Sequence, residues 1–157
     1  MNNPYHGPAS SITRDIGLAF TLALSLGACI NVDTHLYEVN IHGSINVDKD
    51  APQSGKVHIE LRHASSGEGA LSHPLSPITE FVLDGLGDFE ESALIPTDEG
   101  EGLVIYAWLD SDGDDELCGL GAAPEPAGLL VFDLPSSHDL EVALLLTEPC
   151  AGAESLL

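Results

Sequence analysis

A strict alternation of apolar and polar residues runs from Tyr37 to Val47. The odd positions carry apolar side chains or Gly and the even positions carry polar ones, which is the period of a strand with one buried face. The same alternation returns from Val57 to Leu61. The sequence therefore predicts a sheet that covers a core on one side and faces water on the other.

Residues 103–109, Leu-Val-Ile-Tyr-Ala-Trp-Leu, are apolar throughout and include the only Trp of the chain. A strand without a polar face is typical of the centre of a sheet that is covered on both sides. Weaker strand patterns occupy residues 78–83, 89–95, 129–134 and 140–147. These patterns predict an all-β fold, a single antiparallel β-sandwich of about seven strands over residues 37–150.

Two segments show no strand or helix pattern. Residues 64–77 are rich in Ser, Gly and Pro, and this composition predicts a long loop. Residues 151–157 predict a flexible tail at the end of the sandwich.

An uncharged, mostly apolar run extends from Ile16 to Ala28, after a stretch whose only basic residue is Arg14. A membrane-spanning helix needs roughly 20 apolar residues. This shorter run has the length of a signal-peptide core, so we expect residues 1–28 to be removed. The alternatives to the lipoprotein signal described next are a plain secretory signal followed by an incidental Cys, or a buried N-terminal helix.

The segment Leu26-Gly27-Ala28-Cys29 resembles the bacterial lipobox, in which an aliphatic residue and two small residues precede a Cys. The resemblance implies cleavage before Cys29 and acylation of its thiol and new amino terminus by fatty acids such as palmitate. Two or more acyl chains anchor a protein stably to a membrane. Residues 29–36 would then be a lipid-anchored tether. Ile30 rather than Asp follows the Cys, which favours the outer over the inner membrane of the cell envelope.

The charge balance excludes two classes of partner. The chain has 26 Asp and Glu residues against 4 Lys and Arg, a formal net charge of −22. So few basic residues cannot neutralise a row of phosphates, which excludes nucleic acid. They also exclude a polybasic patch that binds anionic lipids. A protein or glycan partner stays open.

An acidic segment, Asp-Ser-Asp-Gly-Asp-Asp-Glu at residues 110–116, follows the predicted central strand. Carboxylates at alternating positions around a Gly turn can direct their oxygens at one hard cation. We therefore expect weak Ca²⁺ binding, with a Kd of about 10⁻⁴ to 10⁻³ M. The candidate ligands are Asp110, Asp112, Asp114 and Glu116. The alternative is a solvated acidic turn without an ion.

This segment resembles the start of an EF-hand loop but departs from it later. Asp115 stands where that loop has Gly, and Gly121 stands where it has a bidentate Glu, so a true EF-hand is not expected. A second acidic group, at Asp98, Glu99 and Glu101, precedes the central strand and is interpreted as a solvated turn.

Two histidines and two cysteines are further candidates. His42 and His58 fall on predicted wet faces and could meet as a transition-metal pair, but no short metal-binding spacing accompanies them, which favours ordinary surface histidines. With Cys29 lipidated, Cys118 and Cys150 remain in an oxidising compartment. If the last three strands alternate in direction, these two cysteines meet at one end of the sandwich. The predicted disulfide would contribute about 3 to 4 kcal/mol in the chain-entropy model.

No hydrolase elbow, phosphate loop, dinucleotide-binding motif or zinc-protease motif is present in the sequence, and no catalytic residue is assigned. Trp108-Leu109-Asp110, the acidic segment and Pro124-Glu125-Pro126-Ala127-Gly128 together resemble uncharacterised secreted bacterial domains of prealbumin-like type, for which the resemblance implies no activity. We expect a non-enzymatic, lipid-anchored envelope domain that has an interaction or structural role. The alternative is a glycan-binding module or glycan-acting hydrolase, although the aromatic residues are few for stacking on sugars.

Overall fold

The computed structural model describes residues 35–67, 70–96, 102–120, 123–133 and 138–157. The expected signal peptide, Cys29 and the acidic group at residues 98–101 lie outside this part of the chain. Within it, no helix has the length and apolar character needed to cross a membrane.

Strands and one short 3₁₀ helix make up the regular structure of the described residues. The strands are β1 Leu36–Val47, β2 Lys56–Gly67, β3 Ala70–Leu83, β4 Gly87–Pro96, β5 Gly102–Asp110, β6 Pro126–Asp133, β7 Asp139–Leu146 and the two-residue β8 Glu148–Pro149. They form a three-stranded sheet in the order β4-β1-β7 and a five-stranded sheet in the order β3-β2-β5-β6-β8. The predicted β-sandwich is confirmed, with eight strands.

Most neighbouring strands run in opposite directions. The neighbouring pairs are antiparallel, with the exception of β1 and β7, which are parallel. Both are odd-numbered strands of an alternating chain, so they point the same way when β7 fills the free edge beside β1. The expectation of a purely antiparallel sandwich is therefore wrong for this one pair of strands.

The main core lies between the two sheets and consists of the apolar side chains that alternate with polar ones along the strands. Val39, Ile41 and Ile45 of β1 are buried there, opposite inward residues of β2 and β5. Gly43 occupies a position where the alternation would place an apolar side chain. A larger residue does not fit, because a Cβ here would lie 1.8 Å from the backbone oxygen of Val142 in β7. Gly43 thus permits the close approach of β7 along β1.

Strand β5 is buried at every position, as predicted for a central strand. Its inward face joins the main core, whereas Val104, Tyr106 and Trp108 form a second cluster on the outer face of the sheet. That cluster is covered by residues from the C-terminal segment (residues 150–157). Ala153 is buried there, and the Tyr106 hydroxyl donates a hydrogen bond of 2.9 Å to the carbonyl oxygen of Ala151. The expected loose tail is instead a packed cover, since the apolar outer face of β5 has to be shielded from water.

The prediction of a long loop over residues 64–77 is wrong. Strands β2 and β3 continue through this segment as one hairpin, paired as far as Gly67 and Ala70. Two register shifts interrupt the ladder, and Pro77 lies opposite Arg62. Strand β3 is at the edge of its sheet, where a missing backbone N–H is tolerated. Residues that indicate a loop are therefore compatible with an edge strand.

Two adjacent leucines test which side chains of β7 face the core. Leu146 is fully buried, whereas Leu145 is 52% exposed. We expect Leu146→Ala to lower the free energy of unfolding by about 2 to 5 kcal/mol, and Leu145→Ala to change it by about 0.5 kcal/mol or less. Urea unfolding of both variants measures this, and equal losses would contradict the register.

Candidate functional site

The acidic loop (residues 110–118) leaves the end of β5 and is fixed to the C-terminal segment by a disulfide. Cys118 and Cys150 are bonded, with their Cα atoms 5.5 Å apart, which confirms the predicted pair. The Cys150 N–H also donates a hydrogen bond of 2.8 Å to the backbone oxygen of Glu125, just before β6. The loop, β6 and the C-terminal segment are thereby held at one end of the five-stranded sheet.

Glu125 spans the acidic loop from the inside. Its side chain is fully buried, one carboxylate oxygen accepts the N–H of Ser111 at 2.8 Å, and the other accepts the N–H of Cys118 at 2.8 Å. These bonds tie the start of the loop to its end. Sequence reasoning missed this role because nothing in the pattern marks Glu125 as buried; its one signal is a position between two prolines close after the acidic segment.

Asp110 organises the first turn of the loop. Its buried carboxylate accepts hydrogen bonds from the N–H of Gly113 at 2.6 Å and of Asp115 at 3.3 Å. Burial alone would raise the pKa of Asp110, but these N–H donors favour the charged form more strongly, so the pKa lies below its ordinary value of 3.8. The charged carboxylate is therefore part of the folded structure.

The next two carboxylates form local turns of the same kind. Asp112 accepts the N–H of Asp114 at 3.2 Å, and Asp114 accepts the N–H of Glu116 at 2.9 Å. Such bonds to the backbone two residues on are typical of Asx turns. Asp115 follows with a φ of 57°, a left-handed conformation that Asp tolerates better than most residues.

The expected Ca²⁺ ligands are only partly brought together. Carboxylate oxygens of Asp110, Asp112 and Glu125 lie within 4.8 Å of one another. Asp114 and Glu116 belong to no such group of three among the described residues. Two predicted ligands thus converge with one that was not predicted, and Ca²⁺ binding itself stays a prediction.

The metal-binding pair of His42 and His58, which the sequence disfavours, does not form. His42 lies on β1 and His58 on β2, which belong to different sheets of the sandwich. His42 is exposed, but His58 is buried, contrary to its interpretation as a surface histidine. The reason is its position opposite Trp108 of β5: the two rings stack with their centroids 4.2 Å apart and 9° between their planes.

His58 faces carboxylates on both sides of its ring. Its Nδ1 lies 3.0 Å from a carboxylate oxygen of Glu80 on β3, and its Nε2 lies 3.7 Å from one of Asp115. A ligand atom of His58 also lies within 4.8 Å of the carboxylates of Asp110 and Asp115. Lys56 reaches the same Asp115 oxygen at 3.0 Å.

Comparisons with known proteins give one structural likeness. No family model matches the chain, and no curated protein matches it. A solved structure of an alternative pilotin from the type II secretion system of Vibrio cholerae is similar, with 14% sequence identity and a TM-score of 0.45. The match covers 74% of this chain and 100% of the pilotin chain. At these values the likeness assigns neither a family nor a function.

A matched pair of glutamates tests the internal support of the loop. Glu125→Gln replaces one acceptor oxygen by an NH₂ group that faces a backbone N–H, so we expect the free energy of unfolding to fall by about 1 to 3 kcal/mol. Glu116→Gln makes the same charge change at an exposed position and should change it by about 0.5 kcal/mol or less. Urea unfolding at pH 7 measures both, and equal effects would contradict the role of Glu125.

The pKa of Asp110 predicts how acid affects stability. Because the pKa is lowered in the folded state, the contribution of Asp110 is complete above its unfolded value and is lost as the pH falls through its folded value. We expect the difference in unfolding free energy between the wild type and Asp110→Asn to be constant from pH 5 to 7 and to shrink below about pH 4. Urea unfolding across this range measures it, and a difference independent of pH would contradict the prediction.

Proposed function

We propose that this protein is an exported, lipid-anchored domain of the cell envelope that binds a partner through its acidic loop and catalyses no reaction. The observation that carries the proposal is the disulfide between Cys118 and Cys150, because such bonds persist in oxidising compartments outside the cytoplasm. The chain has three cysteines, so Cys29 is the one outside this bond, and it stands in the segment that resembles a lipobox.

Binding fits the acidic loop better than catalysis does. The buried carboxylates of Asp110 and Glu125 accept backbone N–H groups of the loop, and the disulfide closes it from the other end. A loop ordered before binding loses little conformational entropy in a complex. Its negative charge favours a basic protein surface or a cation as the partner, including Ca²⁺ at the weak affinity expected from the sequence.

A glycan partner or a glycan-acting hydrolase receives less support. Sugar-binding surfaces present aromatic rings to solvent. In the described ranges Phe89, Tyr106 and Trp108 are buried, and the other aromatic side chains, Tyr37, Phe81 and Phe132, are only partly exposed. Tyr106 and Trp108 are covered by the C-terminal segment and the acidic loop. We therefore favour a protein partner, and we propose the outer membrane as the site of attachment on the basis of Ile30. The resemblance to prealbumin-like secreted domains stays a hypothesis.

The lipid anchor is tested by labelling in the native host. We expect the wild type to incorporate an alkyne analogue of palmitate and to fractionate with membranes, because the acylated thiol holds it there. Cys29→Ser should lose both properties. The double variant Cys118→Ser with Cys150→Ser is the matched control and should keep the label. Mass spectrometry that finds an unmodified Cys29 in the exported protein would contradict the proposal.

A further inference from the structure

We propose that His58, Asp110 and Asp115 form a binding site for a divalent transition-metal ion of the Zn²⁺ class. One potential ligand atom of each residue lies within 4.8 Å of those of the other two. The residues come from β2, the end of β5 and the acidic loop. The site goes beyond the proposed function and differs from the expected Ca²⁺ ligands by its nitrogen donor.

The nitrogen atom of His58 that faces the two aspartates has no hydrogen-bond partner. The side chain is 8% exposed, and Nε2 itself is buried. Its distance of 3.7 Å from the Asp115 oxygen is too long for a hydrogen bond. Buried polar atoms without a partner are rare in folded proteins because they are costly, so this atom points to a ligand.

The contacts of the His58 ring orient it for metal binding. Glu80 lies 3.0 Å from Nδ1, where its carboxylate accepts the Nδ1–H bond and leaves Nε2 as the nitrogen that faces the two aspartates. A carboxylate behind a metal-binding histidine is the common arrangement in zinc sites. The stacked ring of Trp108 fixes the plane of the imidazole. Orientation and tautomer are thus both set before an ion binds.

The two aspartates supply the negative charge and leave coordination positions for water. Asp110 is held by the loop amides, whereas Asp115 is exposed and is contacted by Lys56. The Lys56 side chain is 49% exposed and can turn into solvent when an ion takes its place. One imidazole with two carboxylates suits Zn²⁺ and Co²⁺, whereas Ca²⁺ and Mg²⁺ prefer oxygen ligands alone.

The only tryptophan of the chain makes the site observable, since Trp108 stacks directly on His58. Bound Co²⁺ has an open d shell and quenches a neighbouring indole. We expect saturable quenching of the protein, purified without a histidine tag, and recovery of the emission when Zn²⁺ displaces Co²⁺. Mg²⁺ at the same concentration and ionic strength should have no effect.

Matched variants identify the ligands. Asp115→Asn and His58→Asn should each weaken Co²⁺ binding by at least about tenfold, since loss of even an outer partner costs roughly 10- to 100-fold. Asp84→Asn makes the same charge change at an exposed residue directly after β3, outside the His58 group and outside the acidic loop, and should leave the affinity unchanged. Lys56→Met should tighten binding, because it removes the competing ammonium.

The outcomes separate this site from a merely acidic surface. Quenching that does not saturate, or that is weakened equally by Asp84→Asn and Asp115→Asn, overturns the proposal. If His58→Asn does not fold, the exposed Asp115→Asn variant decides. Neither result bears on the lipid anchor, which is measured separately by labelling of Cys29.

Discussion

Strand β5 buries both of its faces, and only one of them can be covered by the opposing sheet. The outer face carries Tyr106 and Trp108, so the fold needs a second cover. The C-terminal segment provides it, with Ala153 packed on the cluster and Cys150 bonded to Cys118. The disulfide limits the freedom of this segment in the unfolded chain, which favours the covered state. The same disulfide fixes the end of the acidic loop, because Cys118 is its last residue.

The loop that connects β5 to this cover is stabilised by its own negative charges. Burying the carboxylates of Asp110 and Glu125 within 4.8 Å of each other is costly, and the loop amides offset that cost by donating to them. Two nitrogen-bearing side chains also lie at the edge of this cluster. Lys56 contacts Asp115, and His58 directs a buried nitrogen towards it. A highly acidic loop thereby acquires a fixed shape and a place suited to a cation.

The sequence predicts those features that depend on local periodicity. The alternation in β1 and the apolar run of β5 predict strands with the observed burial, and the two cysteines meet as expected. The continuation of β2 and β3 into residues 64–77 is not predicted, because the Ser, Gly and Pro content of this segment is typical of loops and the edge position of β3 is not visible in the sequence. The parallel pairing of β7 with β1 depends on which sheet edge β7 occupies, and the sequence pattern does not indicate that edge.

The site is less predictable because it depends on contacts between residues far apart in the chain. Glu125 and His58 are polar residues whose burial depends on such distant contacts: Glu125 accepts backbone N–H groups from both ends of the acidic loop, and His58 stacks on Trp108. Alternation correctly places His58 on the outer face of the sheet. It does not indicate that Trp108 and Glu80 enclose the ring there.

Hydrogen exchange of the loop amides tests the central claim that buried carboxylates hold the acidic loop in one geometry. The N–H groups of Ser111, Gly113 and Cys118 donate to Asp110 or Glu125. In protein treated with a chelator, NMR should show these three amides exchanging far more slowly than in an unstructured peptide. Exchange at the rate of an unstructured peptide would show that the loop is a solvated turn and would contradict the account.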